Sequence, residues 1–280
     1  MYLWSKIATS KSNDMWEERF HGNTSAVIEE IKGGKSIRVQ MYCQTKEEAD
    51  KLKQSFGGTI SEVVAASWEE PQDLTKKPLL IRNKIVLTQT TNPEEVAQIK
   101  ANYPERIVLN VPAEMAFGTG DHPTTANCLR MLCDYAQKRK KPWSMVDVGC
   151  GTGVLAMAAS ALGAEPVEAF DFDAKAVEVA QKNIAPNKIS NVSLYQKDVF
   201  EWHPPSRFDL IIANLFSSVL QQAFPTLKKA LQDKGTIIIS GILHTQWEDT
   251  KAAAYNAGLD FHTMKRKGKW VTAQGEHLIS

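Results

Sequence analysis

The sequence predicts an α/β protein in which helices cover both faces of a mainly parallel sheet, with an antiparallel terminal hairpin and a small α+β domain in front. Two observations predict this architecture. From residue 144 onward, apolar runs of strand length alternate with amphipathic runs of helical length, which is the pattern of a parallel sheet. Before residue 69 the order is strand, helix, strand, strand, helix, strand, which predicts a ferredoxin-like module.

The first domain is predicted over residues 1–68. Its helix over residues 45–56 has the strongest signals, because Thr45 can cap it, Glu48 lies three residues later, and two glycines follow it. A Lys-Gly-Gly-Lys turn at residues 32–35 joins the second and third strands. The predicted strands are 3–8, 27–31, 36–43 and 59–66, and the other predicted helix is 13–21.

A connector hairpin is predicted over residues 69–92, between the first domain and a second domain over residues 93–280. Its strands, 79–81 and 85–88, flank a short polar turn. In the second domain the predicted strands are 106–111, 145–149, 167–171, 192–198, 208–214, 235–242, 261–265 and 269–272, and the predicted helices are 93–101, 151–162, 174–184, 219–231 and 246–257. The last two strands form the terminal hairpin, which inserts one antiparallel strand at an edge of the sheet.

Composition and charge narrow the class of protein. Hydrophobic residues make up 43% of the chain and the formal net charge is +1, so neither nucleic-acid binding nor membrane-surface binding is expected from bulk charge. The four cysteines lack zinc-site spacing, so no metal site is expected and the thiols are interpreted as reduced. Neither a secretory signal nor a membrane-spanning run is found. We therefore expect a cytoplasmic protein.

A glycine-rich turn, VDVGCGTG at residues 146–153, follows a predicted strand and opens a helix. Glycines let the backbone approach a ligand closely, and the helix N-terminus presents unpaired N–H groups. Asp171, at the end of the next strand, can accept hydrogen bonds from both ribose hydroxyls. Together these features predict a nucleoside site that includes Gly149, Gly151 and Asp171. Asp198, after the third strand, either contacts an adenine amine or caps the next segment.

The glycine spacing separates two classes of cofactor. A dinucleotide-binding turn needs a third glycine at the position where this chain has Val154. The GxGxG pattern found here resembles instead the first motif of class I S-adenosylmethionine-dependent methyltransferases. It therefore favours S-adenosylmethionine over a nicotinamide nucleotide. Cys150, inside the turn, has no neighbouring base in the sequence and is interpreted as a packing residue.

A second motif, AFGTGDHPTT at residues 116–125, resembles the AFGTGTHPTT-type signature of the PrmA family, the methyltransferases of the eleventh large-subunit ribosomal protein. The resemblance continues through VDVGCGTGVLAMAA, DFDAKAVEVAQKN, IIAN and GIL, over roughly residues 76–275, and extends more weakly over the first 70. It implies a class I methyltransferase fold with a Rossmann-like sheet and a ferredoxin-like substrate-recognition domain. It also implies contacts to S-adenosylmethionine from Thr125, Gly149, Asp171 and Asn214, and a large-subunit ribosomal protein as partner.

The signature loop has a physical interpretation of its own. Gly118 and Gly120 let the loop cross the ligand, Asp121 can cap the following helix, and Pro123 suits the first turn of that helix. His122 is either a general base or the source of a hydrogen bond that fixes the loop. The family usually has threonine or histidine at the position of Asp121.

The resemblance implies transfer of methyl groups to lysine or N-terminal amines of the ribosomal protein. A lysine ammonium, with a pKa of about 10.4, must lose a proton before it can attack. Asn214 is expected to aim the neutral amine through its side-chain oxygen, without a charge that would keep the amine protonated. Phe216, two residues later, is bulkier than the family's small residues at this point.

Two other classes of function stay open. The first is a methyltransferase of another protein lysine or of RNA, although RNA and DNA enzymes of this fold often have an Asn/Asp-Pro-Pro-aromatic motif where this chain has Asn-Leu-Phe. The second is a non-enzymatic regulator that retains the cofactor.

Overall fold

The computed structural model describes residues 2–20, 26–31, 35–43, 45–62, 77–112, 120 and 122–278. The chain divides into two compact units, Met1–Leu74 and Thr75–Ser280. Each unit has a hydrophobic core of its own. Residues 32–34 of the predicted Lys-Gly-Gly-Lys turn, residues 63–66 of the predicted fourth strand, the connector at 69–76, and the signature-loop residues 116–119 and Asp121 lie outside the described residues.

The first unit has the predicted order of strands and helices. Its strands are β1 (Tyr2–Thr9), β2 (Ala26–Glu30), β3 (Ser36–Cys43) and β4 (Thr59–Glu62), and its helices are α1 (Asn13–Arg19) and α2 (Lys46–Phe56), with a 3₁₀ turn at Ser10–Ser12. The strands form an antiparallel sheet in the order β2-β3-β1-β4. This is the arrangement of a ferredoxin-like module, which confirms the predicted fold of the first domain.

The core of the first unit is aromatic. Trp4 is fully buried, and its ring lies about 6 Å from those of Trp16, Phe20 and Phe56. The indole N–H of Trp4 donates to the carbonyl of Gly57 at 2.7 Å, so the large ring is buried without an unsatisfied polar atom. α2 begins with the predicted capping box of Thr45 and Glu48.

The second unit contains a three-stranded and a seven-stranded sheet. The small sheet, in the order β5-β6-β7, is formed by β5 (Leu79–Ile81), β6 (Ile85–Thr88) and β7 (Ile107–Asn110). The strands of the large sheet are β8 (Trp143–Val148), β9 (Ala164–Asp171), β10 (Val192–Gln196), β11 (Phe208–Asn214), β12 (Leu231–Leu243), β13 (Leu259–Lys267) and β14 (Trp270–His277). The helices are α3 (Pro93–Asn102), α4 (Pro123–Gln137), α5 (Val154–Ala161), α6 (Ala174–Ile184), α7 (Ser217–Ala230) and α8 (Trp247–Asn256), with 3₁₀ turns at Ala185–Asn187 and His244–Gln246.

The large sheet has the order β10-β9-β8-β11-β12-β14-β13. Every pairing from β10 to β12 is parallel, whereas β14 is antiparallel to both of its neighbours. The predicted α/β fold with a terminal hairpin is therefore confirmed. The antiparallel strand lies one position in from the edge, because β14 pairs with β12 on one side and with β13 on the other.

Helices cover both faces of the large sheet. α4, α5 and α6 supply one core with residues such as Leu132 and Met157, and α7 and α8 supply the other with Phe224 and Trp247. In an open parallel sheet, ligands bind beyond the carboxyl ends of the strands. Within the described residues, no helix is long and apolar enough to cross a membrane.

Candidate active site

The glycine turn follows β8 at the carboxyl edge of the sheet. Gly149, Gly151 and Gly153 have φ values of 74°, 51° and 76°, so α5 begins at Val154 and not at residue 151 as predicted. The N–H groups of Gly149 and Cys150 donate to the carbonyl of Phe170 at 2.9 and 3.0 Å. These two bonds hold the turn against the end of β9. Val154 is buried in the core at the position where a dinucleotide-binding turn has glycine.

Asp171, the last residue of β9, is buried beside the glycine turn. Its Oδ2 atom accepts from the N–H of Gly151 at 3.0 Å, and its Oδ1 atom accepts from the N–H of Asp173 at 3.1 Å. Burial raises the pKa of this carboxyl above its ordinary value, and hydrogen bonds from the backbone N–H groups of Gly151, Asp173 and Phe172 oppose the rise. A carboxylate offers about four lone-pair positions. Asp171 therefore retains acceptor capacity beyond its backbone bonds.

Asn214 and Thr125 meet beyond the end of β11. Thr125, in the first turn of α4, is buried, and the Asn214 Nδ2 group donates to its Oγ1 atom at 3.4 Å. The Oδ1 atom of Asn214 is buried and has no hydrogen-bond partner among the described residues. A buried acceptor without a donor is costly. An N–H donor from a bound molecule would satisfy it.

Leu215 connects Asn214 to the glycine turn, and this contact was not predicted. A Cβ atom on Gly149 would lie 2.4 Å from Leu215 Cδ2, and a Cβ atom on Gly241 would lie 2.5 Å from the Leu215 carbonyl oxygen. Leu215 is thus held between Gly149, directly after β8, and Gly241, inside β12. Only the GIL segment at residues 241–243 hinted at this packing in the sequence, since Gly241 interrupts an apolar strand.

Asp147, inside β8, is a second buried carboxyl that sequence analysis missed. Its Oδ2 atom accepts from the N–H of Ala156 at 3.1 Å, and so it caps α5, whose N-cap residue is a glycine without a side chain. The Oδ1 atom has no partner in the part of the chain that is described. Burial raises the pKa of Asp147 to about 7, the N–H of Ala156 opposes this, and the charge of Asp171 adds to it. The sequence feature that could have revealed Asp147 is an acidic residue within an apolar strand.

The described part of the signature loop is fixed from two sides. Gly120 is buried, and a Cβ atom there would lie 2.4 Å from Leu87 Cδ1 in β6. The N-cap of α4 is His122, because Pro123 at the start of the helix puts His122 in an extended conformation that brings its ring to the helix end. The His122 Nδ1 atom lies 2.7 Å from Thr124 Oγ1 and accepts from the Thr124 N–H at 3.4 Å. Of the two roles considered for His122, these contacts correspond to the hydrogen bond that fixes the loop.

Two further candidates from the sequence have structural roles. β10 ends at Gln196, so Asp198 lies beyond the strand, where its Oδ1 atom accepts from the N–H of Phe200 at 2.9 Å. Of the two roles considered for Asp198, this bond corresponds to capping of the next segment. Cys150 is buried, and burial raises the pKa of its thiol, which makes it a poor nucleophile. Among the described residues no cluster suited to a metal ion is found.

Comparison with known proteins identifies the family. The family model for ribosomal protein L11 methyltransferase (PrmA) matches residues 7–277. The chain belongs to this family. Membership confirms the predicted class, the S-adenosylmethionine-dependent methyltransferases, and the predicted cofactor.

Individual relatives agree with this assignment. The chain is 34% identical over 220 residues to a ribosomal protein L11 methyltransferase of Thermoanaerobacter sp. strain X514, covering 78% of this chain and 67% of the relative. It is 36% identical over 196 residues to that of Thermoanaerobacter pseudethanolicus, covering 70% and 60%. These alignments thus span about two thirds or less of the relatives' own length. The crystal structure of a ribosomal protein L11 methylase from Lactobacillus delbrueckii subsp. bulgaricus matches with a TM-score of 0.58 and 26% identity, over 71% of this chain and 98% of that one.

The residues at the carboxyl edge fit S-adenosylmethionine. The cofactor has hydroxyls for a carboxylate, and Asp171 retains acceptor capacity. It lacks the negatively charged pyrophosphate of a dinucleotide. The two buried carboxyls beside the turn, Asp147 and Asp171, disfavour such a negatively charged group. Gly149 leaves no room for a side chain, because the side chain of Leu215 packs against it.

Replacing Asp171 should weaken cofactor binding. Asp171→Ala is expected to reduce the affinity for S-adenosylhomocysteine by about 1–3 kcal/mol, because hydrogen bonds to a charged acceptor are lost. The measurement is isothermal titration calorimetry. Asp173→Ala, which removes a nearby helix cap, is the control and should change the affinity by much less. Equal affinities for wild type and Asp171→Ala, or tight NAD binding in place of S-adenosylhomocysteine, would refute the assignment.

Replacing Asp147 should change how stability depends on pH. The folded-state pKa is about 7 and the unfolded one about 3.9, so between these values the folded protein holds a proton that the unfolded chain has released. Wild-type stability attributable to this group is therefore complete below about pH 4 and is lost as the pH rises through 7. Asp147→Asn removes the titration, so its melting temperature relative to wild type should rise across this window.

Thermal unfolding at several pH values from 4 to 8 measures this difference. Asp249→Asn, at an exposed position in the first turn of α8, is the control for the loss of a carboxyl elsewhere in the chain. A constant difference between Asp147→Asn and wild type across the window would show that Asp147 is charged in the folded protein at every pH tested.

Proposed function

We propose that this protein transfers methyl groups from S-adenosylmethionine to lysine or N-terminal amines of ribosomal protein L11. The relatives support this substrate, since they are named ribosomal protein L11 methyltransferases. The observation that carries the proposal is the buried Oδ1 atom of Asn214, which lacks a hydrogen-bond donor among the described residues. A neutral amine that enters the site supplies such a donor.

The cofactor residues of the proposal are Thr125, Gly149, Gly151, Asp171 and Asn214. Asp171 accepts hydrogen bonds from the ribose, and the backbone of the glycine turn supports the methionine end. Thr125 holds the Asn214 amide by accepting from its Nδ2 group. This bond leaves Oδ1 as the atom that faces the acceptor.

Asn214 acts by orientation. S-adenosylmethionine, when bound, supplies a methyl group already activated by its sulfonium, so the protein mainly has to provide proximity and alignment. The Asn214 Oδ1 atom accepts an N–H of the amine, which turns the nitrogen lone pair toward the methyl group. A neutral amide performs this task without raising the pKa of the amine, as a carboxylate would.

The first unit is proposed to recognise the protein substrate. The buried side chains of β1 and β3 that form its core are those of Trp4, Ile37, Val39, Met41 and Cys43. The opposite face carries Ile7, which is 65% exposed, and its register partner Arg38. A docking face of this kind raises the local concentration of several amines around one catalytic site.

Two observations favour this function over the alternatives. Asn214 is followed by Leu215, whose side chain packs on the glycine turn, whereas base-modifying enzymes of this fold often have an Asn/Asp-Pro-Pro-aromatic motif there to stack a base. The glycine turn, Asp171 and Asn214 are all present, which argues against a regulator that has lost catalysis. No nucleic-acid contact is part of the proposal, and the proposed location is the cytoplasm, where ribosomal proteins are made.

Replacing Asn214 tests the catalytic role. Asn214→Ala should lower kcat on ribosomal protein L11 about 100-fold, because a misplaced reactant costs this much, while stability changes little. Asn214→Asp should also be slow, with activity that recovers as the pH is raised, because a carboxylate keeps the amine protonated. Asn256→Ala, at the exposed end of α8, is the control. Wild-type turnover by a folded Asn214→Ala protein would remove Asn214 from the mechanism.

Deleting residues 1–68 tests the role of the first unit. The truncated protein should bind S-adenosylhomocysteine with nearly unchanged affinity but should not methylate intact ribosomal protein L11, because the cofactor residues all lie in the second unit. Calorimetry and methyl incorporation measure the two properties, and circular dichroism checks folding. Full-rate methylation by the truncated protein would contradict the docking role, and failure to fold would indicate a purely structural role.

A further inference from the structure

Two buried hydroxyl groups meet where α7 and α8 begin. Ser217 is the first residue of α7, and Thr250 lies near the start of α8. The Ser217 Oγ atom lies 2.8 Å from the Thr250 Oγ1 atom, and both side chains are buried. A buried hydroxyl destabilises a protein unless it is hydrogen-bonded. The pair therefore couples the starts of the two helices.

The hydrogen bonds around this pair have a definite direction. A threonine hydroxyl has one proton, and that of Thr250 is donated to the carbonyl of Gln246 at 2.7 Å. Thr250 therefore accepts from Ser217, and the Ser217 Oγ atom in turn accepts from the Gln221 Nε2 group at 2.9 Å. The bonds thus form one chain from Gln221 through Ser217 and Thr250 to Gln246. A buried chain that is fully satisfied in this way fixes the side chains that form it.

Gln246 connects this hydroxyl chain to the large sheet. Its Oε1 atom accepts from the N–H of Leu243, the last residue of β12, at 3.4 Å. β12 is the parallel neighbour of β11, and Ser240 of β12 lies opposite Asn214 at the end of β11. The hydroxyl chain is therefore anchored on the strand that pairs with the one carrying Asn214.

The segment between Asn214 and Ser217 has little freedom. Only Leu215 and Phe216 separate the two residues, and two residues of extended chain span about 6.6 Å. The backbone of Leu215 passes so close to Gly241 that a Cβ atom on this glycine would lie 2.5 Å from the Leu215 carbonyl oxygen. A shift at the start of α7 is therefore passed along the backbone to Asn214.

The amide of Asn214 depends on this backbone for its position. Its Nδ2 group donates to Thr125 Oγ1 at 3.4 Å, which is long for an N–H···O hydrogen bond. Its Oδ1 atom has no partner among the described residues. One long bond orients an amide only loosely. The place of the Asn214 backbone therefore decides where the Oδ1 atom lies.

We propose that Ser217 and Thr250 are positioning residues for the methyl transfer, because their hydrogen bond fixes the backbone from which Asn214 aims the acceptor amine. This inference rests on the proposed function. The two hydroxyl groups act through Asn214 and need no contact with the substrate or the cofactor. Because the reaction depends mainly on alignment, a small displacement of the Asn214 amide slows it.

The first experiment measures steady-state kinetics on ribosomal protein L11. Ser217→Ala and Thr250→Val should each lower kcat about 10-fold with little change in the KM for S-adenosylmethionine, because alignment is realised in the transition state. Valine has the shape of threonine without the hydroxyl, whereas Thr250→Ser keeps the hydroxyl and should retain a kcat near that of wild type.

Ser144→Ala is the matched control. It removes a hydroxyl that donates to Asp209 Oδ2 at 3.0 Å, at the amino ends of β8 and β11 and so at the opposite edge of the sheet from Asn214. Its kcat should equal that of wild type, although a hydrogen bond of the same kind is lost. Thermal unfolding of each variant identifies a temperature at which all of them are folded, and the kinetics are measured there.

A double-mutant cycle tests whether the hydroxyl pair acts through Asn214. If it does, Ser217→Ala should lower kcat in the wild-type background but change it little in the Asn214→Ala background, since the group to be positioned is already absent. A hydroxyl pair that only stabilises the fold would lower kcat by the same factor in both backgrounds.

Equal factors in the two backgrounds, or a wild-type kcat for folded Ser217→Ala or Thr250→Val, would overturn the inference and leave the proposed function intact. Failure of both Ser217→Ala and Thr250→Val to fold would overturn it as well, by showing a purely structural role. If wild type adds no methyl group to ribosomal protein L11, or if Asn214→Ala turns over at the wild-type rate, the proposed function itself fails and the inference fails with it.

Discussion

The contact between Leu215 and Gly149 is the constraint on which the rest of the site depends. It requires glycine at the end of β8, because any side chain there would displace Leu215. β8 and β11 are neighbouring parallel strands, so their carboxyl ends meet at the same edge. The contact therefore connects the cofactor turn to the segment that carries Asn214. A change in one displaces the other.

Electrostatics beneath the turn follow from the same packing. Asp147 and Asp171 are both buried there, and burial raises both pKa values. Such burial destabilises the free protein at neutral pH, because it disfavours the charged form of each carboxyl. The arrangement suits a ligand that brings positive charge and hydroxyl donors, as S-adenosylmethionine does with its sulfonium and ribose. Stability is thus given up for ligand complementarity, as in many functional sites.

On the proposed acceptor side of the site, the side chains orient the reactants and do not transfer protons. His122, a candidate base, is occupied as the cap of α4. Through that helix it positions Thr125, which in turn accepts from Asn214. In the proposed mechanism the groups nearest the acceptor amine are the neutral amide of Asn214 and the hydroxyl of Thr125. A reaction whose methyl donor is already activated needs such alignment more than it needs a proton acceptor.

The sequence by itself determined the fold class, the family and the cofactor, because glycine spacing, strand-end carboxylates and helix caps are local signals. The capping box at Thr45, the hairpin at 79–88 and the strand ending at Asn214 were all predictable on this basis. Only the tertiary structure decided the cap at His122, the packing of Leu215 between Gly149 and Gly241, and the pKa of Asp147. Those features depend on which strands become neighbours and on how deeply each group is buried. Residue spacing along the chain reveals neither of these.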